Sequence, residues 1–185
     1  MEELAPAPRR KAAVTIAIIA TPPHGIVFVE RASHLRDHPG QIALPGGAVD
    51  EADNGDHARA ALREMHEEVG VAAERVRIVA QLPVVRQRVN NFDVTPFVAV
   101  VEPGPFTIDG TETAAMFTIP LEIIVSRGPQ PAVLTVADRQ VDTYVLDYEG
   151  WRVWGLTAKI LRTFADRWSD PSSGMRTAVE NELAF

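Results

Sequence analysis

The run Arg63-Glu64-Met65-His66-Glu67-Glu68-Val69-Gly70-Val71 constrains this chain more than any other segment. From Asp56 onward, Ala58, Ala61, Leu62, Met65 and Val69 recur at i, i+3, i+4, i+7 and i+11, the spacing of one apolar helical stripe. Asn54 or Asp56 can cap its start, and Gly70 stands where a C-terminal cap belongs. Glu64, Glu67 and Glu68 share a second face, because residues three and four apart are neighbours on a helix. Like charges at that spacing destabilise the helix, and a cation would offset the repulsion. Oxygen-only donors suit a hard ion such as Mg²⁺ or Mn²⁺ rather than a soft one. A solvated acidic face has the same pattern, so the surroundings decide. Arg63 lies one turn before Glu67 and can orient a carboxylate. The Pro45-Gly46-Gly47 bend can bring a backbone carbonyl to the ion.

The apolar stripe needs a sheet to pack on, and the chain supplies strands. Residues 13–19 and 26–30 are rich in Val and Ile and flank Thr21-Pro22-Pro23-His24-Gly25, the turn chemistry of a hairpin. Residues 31–43 form a polar, basic connection. Further strands are expected at 76–80, 94–101, 132–136 and 143–146. Ile119-Pro120 opens a short segment read as helical. Residues 154–168 read as a second long helix, with Leu156, Ile160, Leu161 and Phe164 on its apolar side. Strands around two helices predict a single-domain α/β (α+β) sandwich. Residues 1–11 are expected to be a loose N-terminal segment and 12–170 the domain. Residues 171–185 are expected to be a helical extension packed on it.

Composition narrows the function classes. With 46% hydrophobic and 23% charged residues the chain is globular. Its net charge of −7 argues against binding nucleic acid through phosphate contacts. A small anionic substrate remains compatible, since a local Arg cluster or bound cation reverses the field in one cleft. The absence of cysteine excludes a disulfide framework, a thiolate metal site and a Cys nucleophile. The apolar run 12–20 is too short to span a bilayer. Arg9, Arg10 and Lys11 precede it, but Pro22-Pro23 follows in place of a small-residue cleavage site, so it reads as a strand. A cytoplasmic location without membrane partners is expected.

The carboxylate helix resembles the signature of Nudix hydrolases, Gly-x5-Glu-x7-Arg-Glu-(apolar)-x-Glu-Glu-x-Gly-(apolar), whose second half residues 63–71 match throughout. In the first half, Gly47 is followed by five residues and then Asp53 instead of Glu. Nine residues, not seven, separate Asp53 from Arg63, so no catalytic role attaches to Asp53. The resemblance implies a Nudix-type α/β/α sandwich with a mixed sheet and hydrolysis of a nucleoside diphosphate linkage. It implies Mg²⁺ or Mn²⁺ held by Glu64, Glu67, Glu68 and the Gly46 carbonyl, with Arg63 orienting the ligands. Such ions neutralise charge on phosphate and acidify the attacking water.

Residues 31–47 place Arg31 and Arg36 beside that site, and Arg offers forked donors to phosphate. Their spacing is similar to that of coenzyme A pyrophosphatases, a Nudix subfamily. Its pattern before the box is Leu-Leu-Thr-x-Arg-(Ser/Ala)-x3-Arg-x3-Gly-x3-Phe-Pro-Gly-Gly. Arg31, Ala32, Arg36, Gly40, Pro45, Gly46 and Gly47 fall in register. Val27-Phe28-Val29 replaces Leu-Leu-Thr, and Leu44 replaces Phe. Val94-Thr95-Pro96 and Trp154-Gly155-Leu156-Thr157-Ala158 extend the resemblance, which covers roughly residues 12 to 168. It implies cleavage of CoA to 4′-phosphopantetheine and adenosine 3′,5′-bisphosphate, with Arg31 and Arg36 on the phosphates, the 3′-phosphate included.

Glu112, in a segment similar to the subfamily's Glu-Val-x3-Phe, is a candidate general base. It reads equally as a surface Glu ahead of a strand or helix, and Asp109 competes for the role. His34, His38 and His66 are expected to be structural or solvent-facing. Trp151, Trp154 and Trp168 are expected in the core or an interface, and Phe92, in the 90–93 loop, can stack on a base. Competing readings are a Nudix hydrolase for ADP-ribose, NADH or dinucleoside polyphosphates, and a catalytically silent nucleotide sensor or interaction module. The expected partner is a small-molecule nucleotide. Oligomeric state stays open, homodimers being common among such enzymes.

Overall fold

The computed structural model describes residues 8–87 and 91–184. Residues 1–7 of the expected loose N-terminal segment, and Asn90 of the expected 90–93 loop, lie outside the described residues.

The strands β1 (Arg10–Ile19), β2 (Gly25–Arg31), β3 (Ile42–Ala43), β4 (Gly46–Ala48), β5 (Val76–Gln81), β6 (Val85–Gln87), β7 (Phe92–Val101) and β8 (Thr113–Pro120) form one mixed sheet. Strand β1 runs parallel to β7 from Arg10↔Phe92 to Ile19↔Val101. Being covered on both faces, β1 is an almost unbroken apolar run, as central parallel strands are. Its residues alternate between layers. Ile16 and Ile18 join one core cluster, and Ala17, between them, joins another.

Helix α1 (His57–Val69) covers the face reached by Ala17, burying Met65 and Val69 against Val27, Val29, Ala99 and Val101. The opposite face is covered by α3 (Gly155–Ser169) and α4 (Met175–Leu183), through Ile160, Leu161, Phe164, Met175 and Val179. This is the mixed α+β architecture, with helices on both faces of the large sheet. A second, three-stranded antiparallel sheet of β9 (Gln130–Val136), β10 (Arg139–Tyr148) and β11 (Trp151–Trp154) lies between α2 (Leu121–Ser126) and α3. Phe117 of β8 joins the two sheets. Its ring stacks on Phe28 at 5.6 Å and on Trp151 at 4.2 Å between centroids.

Two sequence expectations are corrected. The helix expected to open at Ile119-Pro120 begins at Leu121, and residues 113–120 are strand. Pairing with β2, from Gly25↔Pro120 onward, overrides the weak strand preference of Ala114-Ala115. Phe92 and Asp93 belong to β7 rather than to a loop, because they continue the parallel ladder to Arg10 and Lys11.

The hairpin of β1 and β2 positions the site. The two strands pair at Ile18↔Ile26, near the turn, and then part. The segment after β2 fills the fork: β3 pairs with β2 at Val29↔Ala43, and β4 pairs with β1 at Val14↔Gly46. The Pro-Gly-Gly bend thus crosses from one strand to the other. The Thr15 N–H fixes it by donating to the Pro45 carbonyl at 2.8 Å.

Phe28→Ala, at a fully buried position, is expected to cost about 3–5 kcal/mol. Val133→Ala, at a position 58% exposed, should stay within about 0.5 kcal/mol. Urea unfolding midpoints check both, and equal losses would contradict this assignment of the core.

Candidate active site

Helix α1 is punctuated as the sequence suggests. The Asp56 carboxylate accepts the N–H groups of Ala58 at 2.9 Å and Arg59 at 3.2 Å, satisfying two of the free donors at the helix start. Gly70 ends the helix at φ 68°, a conformation that suits glycine.

The three glutamates do not share one environment. Glu64 and Glu68, a full turn apart, line a cavity of about 1370 Å³. Glu67 projects toward Arg63 instead, accepting from Nη1 at 2.8 Å, and its side chain is 53% exposed. Glu68 is buried, and its Oε2 accepts the Gly46 N–H at 2.9 Å. Glu64 accepts from Arg63 Nη1 at 2.8 Å. Its carboxylate lies against Gly47, where a β-carbon would come within 2.3 Å of Oε1. At Gly46 a β-carbon would come within 2.3 Å of the Ala13 carbonyl oxygen. The two glycines are therefore required by close approach: one to the sheet, the other to the carboxylate.

Asp53 is the residue that motif spacing leaves without a role. It is only 1% exposed, and both its oxygens accept from Arg63, Nε at 3.2 Å and Nη2 at 3.0 Å. A 3₁₀ turn over Glu51–Asp53 carries it there, with the Asp50 N–H donating to its Oδ2 at 2.9 Å. Asn54 at φ 53° and Gly55 at φ 75° then reverse the chain toward the Asp56 cap. These two left-handed residues absorb the two-residue excess over the general motif. Nη2 of Arg63 also donates to the Ala48 carbonyl at 2.9 Å. The hydrogen bonds from Arg63 hold the Asp53 carboxyl below the usual carboxylate range.

Burial has the opposite effect inside the cavity. It raises the Glu64 carboxyl against the lowering influence of Arg63. It pushes Glu68 up to about 7, the Gly46 hydrogen bond opposing and the Glu64 and Glu112 charges adding to the shift. Among the described residues, no three His, Asp or Glu side chains stand close enough to form a ready-made cage for a metal ion. The donor set nevertheless fits a hard dication: Glu64 and Glu68 are desolvated, mutually repelling carboxylates and offer only oxygen.

Of the other sequence candidates, Glu112, Gly46 and Arg31 line the same cavity. Glu112 is exposed at the mouth of β8, and its charge acts on Glu64 and Glu68. The Arg31 charge acts on Glu68 in the opposite sense. Arg36 is exposed and is not among the lining residues. Asp109 is engaged in its own turn, accepting from the Thr111 N–H at 2.9 Å and hydroxyl at 2.6 Å. His38, Phe92 and Trp154 line the cavity, whereas Trp151 stacks on Phe117 and Trp168 packs on Phe164. His34 and His66 are solvent-exposed.

This geometry agrees with family comparisons. The family model for the NUDIX domain matches residues 9–133. An Enterobacter protein described as an uncharacterized Nudix hydrolase, NudL, is 40% identical over 159 residues, spanning 85% of this chain and 82% of its own. A Salmonella newport NudL is 39% identical over the same shares. Among solved structures, a Nudix hydrolase family member from Chromobacterium violaceum superposes with a TM-score of 0.57 at 17% identity, covering 97% of this chain and 96% of the other. RenU, a Nudix hydrolase from M. smegmatis, gives 0.52 at 23% identity over 62% and 73%. The chain belongs to the Nudix family. It is a Nudix hydrolase acting on nucleoside diphosphate derivatives, a class that generally uses divalent metals such as Mg²⁺ or Mn²⁺. No helix among the described residues is long and apolar enough to cross a membrane.

Arg63→Ala should cost on the order of 3 kcal/mol, because it leaves Asp53 buried without a counter-charge. The Asp53 carboxyl has a lower pKa folded than unfolded, so its stabilisation is complete above the unfolded value. It is lost as pH falls below about 4. Unfolding midpoints of wild type and Asp53→Asn followed from neutral to acid pH should therefore converge. Parallel curves would contradict the pairing. Gly47→Ala should keep the fold but displace the Glu64 carboxylate from its place on the cavity wall, lowering turnover at least about tenfold, as expected when a positioned group moves. Unchanged kcat would contradict that contact.

Proposed function

We propose that the protein hydrolyses the diphosphate of coenzyme A, releasing 4′-phosphopantetheine and adenosine 3′,5′-bisphosphate. The observation that carries this reading is one cavity walled by Glu64, Glu68, Glu112, Gly46 and Arg31, behind a loop whose residues 31–47 follow the spacing of CoA pyrophosphatases.

Glu64, Glu68 and the Gly46 carbonyl would hold Mg²⁺ or Mn²⁺. Glu67 would join them by leaving Arg63. The ion would supply charge neutralisation on the diphosphate and a more acidic water. The chain's own groups do the rest. Arg63 keeps the Glu64 carboxylate aimed at the cavity from behind. Arg31, on the cavity wall, offers forked donors to a phosphate oxygen. Glu112, exposed at the rim of the cavity, accepts a proton from the attacking water.

Purified protein incubated with CoA, ADP-ribose, NADH and diadenosine polyphosphate, each with Mn²⁺ in ¹⁸O-water, tests the substrate. The expected result is turnover of CoA above the others, with ¹⁸O in one of its two phosphate products. No CoA turnover removes the proposed substrate, and no turnover of any substrate favours a silent nucleotide-binding module. Glu68→Gln should abolish the rise in unfolding temperature that Mn²⁺ gives wild type, and should lower kcat by about 100-fold or more. Glu112→Gln should lower kcat by about 10²–10⁴ with KM little changed.

A further inference from the structure

We propose that the outer edge of β9 pairs antiparallel with the same strand of a second copy of the chain, joining the two small sheets about a two-fold axis. The pairing does not depend on which diphosphate the site cleaves. Strand β9 is the edge of the sheet β11-β10-β9, and among the described residues no strand pairs with its outer side. A tight turn at Ala137-Asp138, with φ 47° and 62°, joins Val136 to Arg139. A two-residue loop of this kind makes the closing pair a hydrogen-bonded one, and such pairs alternate along an antiparallel ladder. Residues 132, 134 and 136 therefore direct their backbone groups at β10, and residues 131, 133 and 135 direct theirs outward. Pro131 fits that parity, since a proline on an edge strand keeps its missing N–H away from the ladder. The N–H groups of Val133 and Thr135 face out, and neither has an acceptor among the described residues.

Proteins ordinarily protect a free edge with charge, a bulge or a covering element. The seven residues of β9 carry no charge, so two copies meet there without like-charge repulsion. Exposed apolar side chains also concentrate on this hairpin. Val141 stands opposite Leu134, and Val136 follows Leu134 on the same face. A two-fold axis at Leu134 suits these features together. It sets Val133 opposite the partner's Thr135, so that each outward N–H of β9 finds a carbonyl and both carbonyls find an N–H. An axis at Val133 would set Thr135 opposite the partner's Pro131, which has no N–H to give. The Leu134 axis also places Leu134 beside the partner's Leu134. Val141, Leu134 and their symmetry mates then form one apolar row across both hairpins. An unrelated strand would meet the backbone groups without completing that row, which is why the occupant is a second copy. Val133 and Val136 also line the catalytic cavity, so the partner strand lies along its rim.

The chain has no cysteine, so one introduced thiol reports one contact. Leu134→Cys in the full chain is expected to oxidise to a disulfide-linked dimer, since facing residues of a non-hydrogen-bonded pair lie within disulfide reach. Val141→Cys is expected to stay monomeric on a non-reducing gel, because its two thiols would stand three strand spacings apart, roughly 14 Å. Sedimentation velocity of wild type should show a dimer at micromolar concentration. Thr135→Pro removes an outward N–H and leaves the partner's Val133 carbonyl unmet, and should raise the dimer Kd at least about 100-fold. Thr135→Val keeps the N–H and should leave Kd within about threefold. Circular dichroism verifies the fold of the proline variant, and the thiol variants keep the wild-type backbone. A wild-type monomer up to the highest soluble concentration overturns the proposal. So does a dimer that survives in folded Thr135→Pro, a dimer without the Leu134→Cys cross-link, or cross-linking of Val141→Cys as fast as that of Leu134→Cys.

Discussion

The geometry of the candidate site depends on the guanidinium of Arg63. All three of its nitrogens are engaged: Nε with Asp53, Nη2 with Asp53 and the Ala48 carbonyl, Nη1 with Glu64 and Glu67. One rigid fork therefore ties the end of β4, the 3₁₀ turn and helix α1 into a single unit. A lysine ammonium has three donors and no fixed plane, so it could not satisfy that set of directions. The arrangement also sorts the glutamates. Glu67 lies a full turn beyond Arg63 and is drawn out to it. Glu64 is held partway, and Glu68 on the far side faces the cavity.

This sorting explains how much of the site was legible in the sequence. Helical spacing identified the carboxylate face, and the Asp56 and Gly70 caps bounded it. Spacing alone gave three equivalent glutamates, because it does not say where Arg63 points. Asp53 was illegible for a related reason. Its distance from Arg63 along the chain departs from the motif, and only the left-handed turn at Asn54-Gly55 restores the contact. A Gly preceded by Asn in front of a helix cap was the available clue. Strand β8 was obscured by Ala114-Ala115, whose strand state comes from pairing with β2 rather than from their own preference. By contrast, strands β1 and β7 are buried on both faces over most of their length, and their nearly continuous apolar runs announced them.

The fork between β1 and β2 supplies what the helix lacks. A helix alone presents carboxylates to water, where burial would not perturb them. The Pro45-Gly46-Gly47 bend covers that face with backbone, at a distance only glycine permits. The same closeness that donates the Gly46 N–H to Glu68 excludes water from it. Desolvation then pushes the Glu68 carboxyl up to about 7. The local cost and the local chemistry have one cause, since a carboxylate raised by burial gains most from a cation that restores its lost solvation.

The cavity extends beyond that acidic region because the second sheet, joined to the first through one aromatic stack, supplies part of its wall. Phe117 bridges Phe28 and Trp151, so β9 and β10 stand beside the large sheet instead of continuing it. The space between them is lined by Val133, Val136 and Val141, three of the four large apolar side chains left exposed among the described residues. Exposed apolar surface is costly when it faces bulk water, and here it faces a concave wall shared with Arg10, Arg31 and the carboxylates. The wall thus changes character along its length, from charged at Glu64, Glu68 and Arg31 to apolar at the three valines. Phe117 therefore matters beyond the core, since the ring that joins the two sheets also ties the strands carrying Val133, Val136 and Val141 to the sheet that carries the rest of the wall.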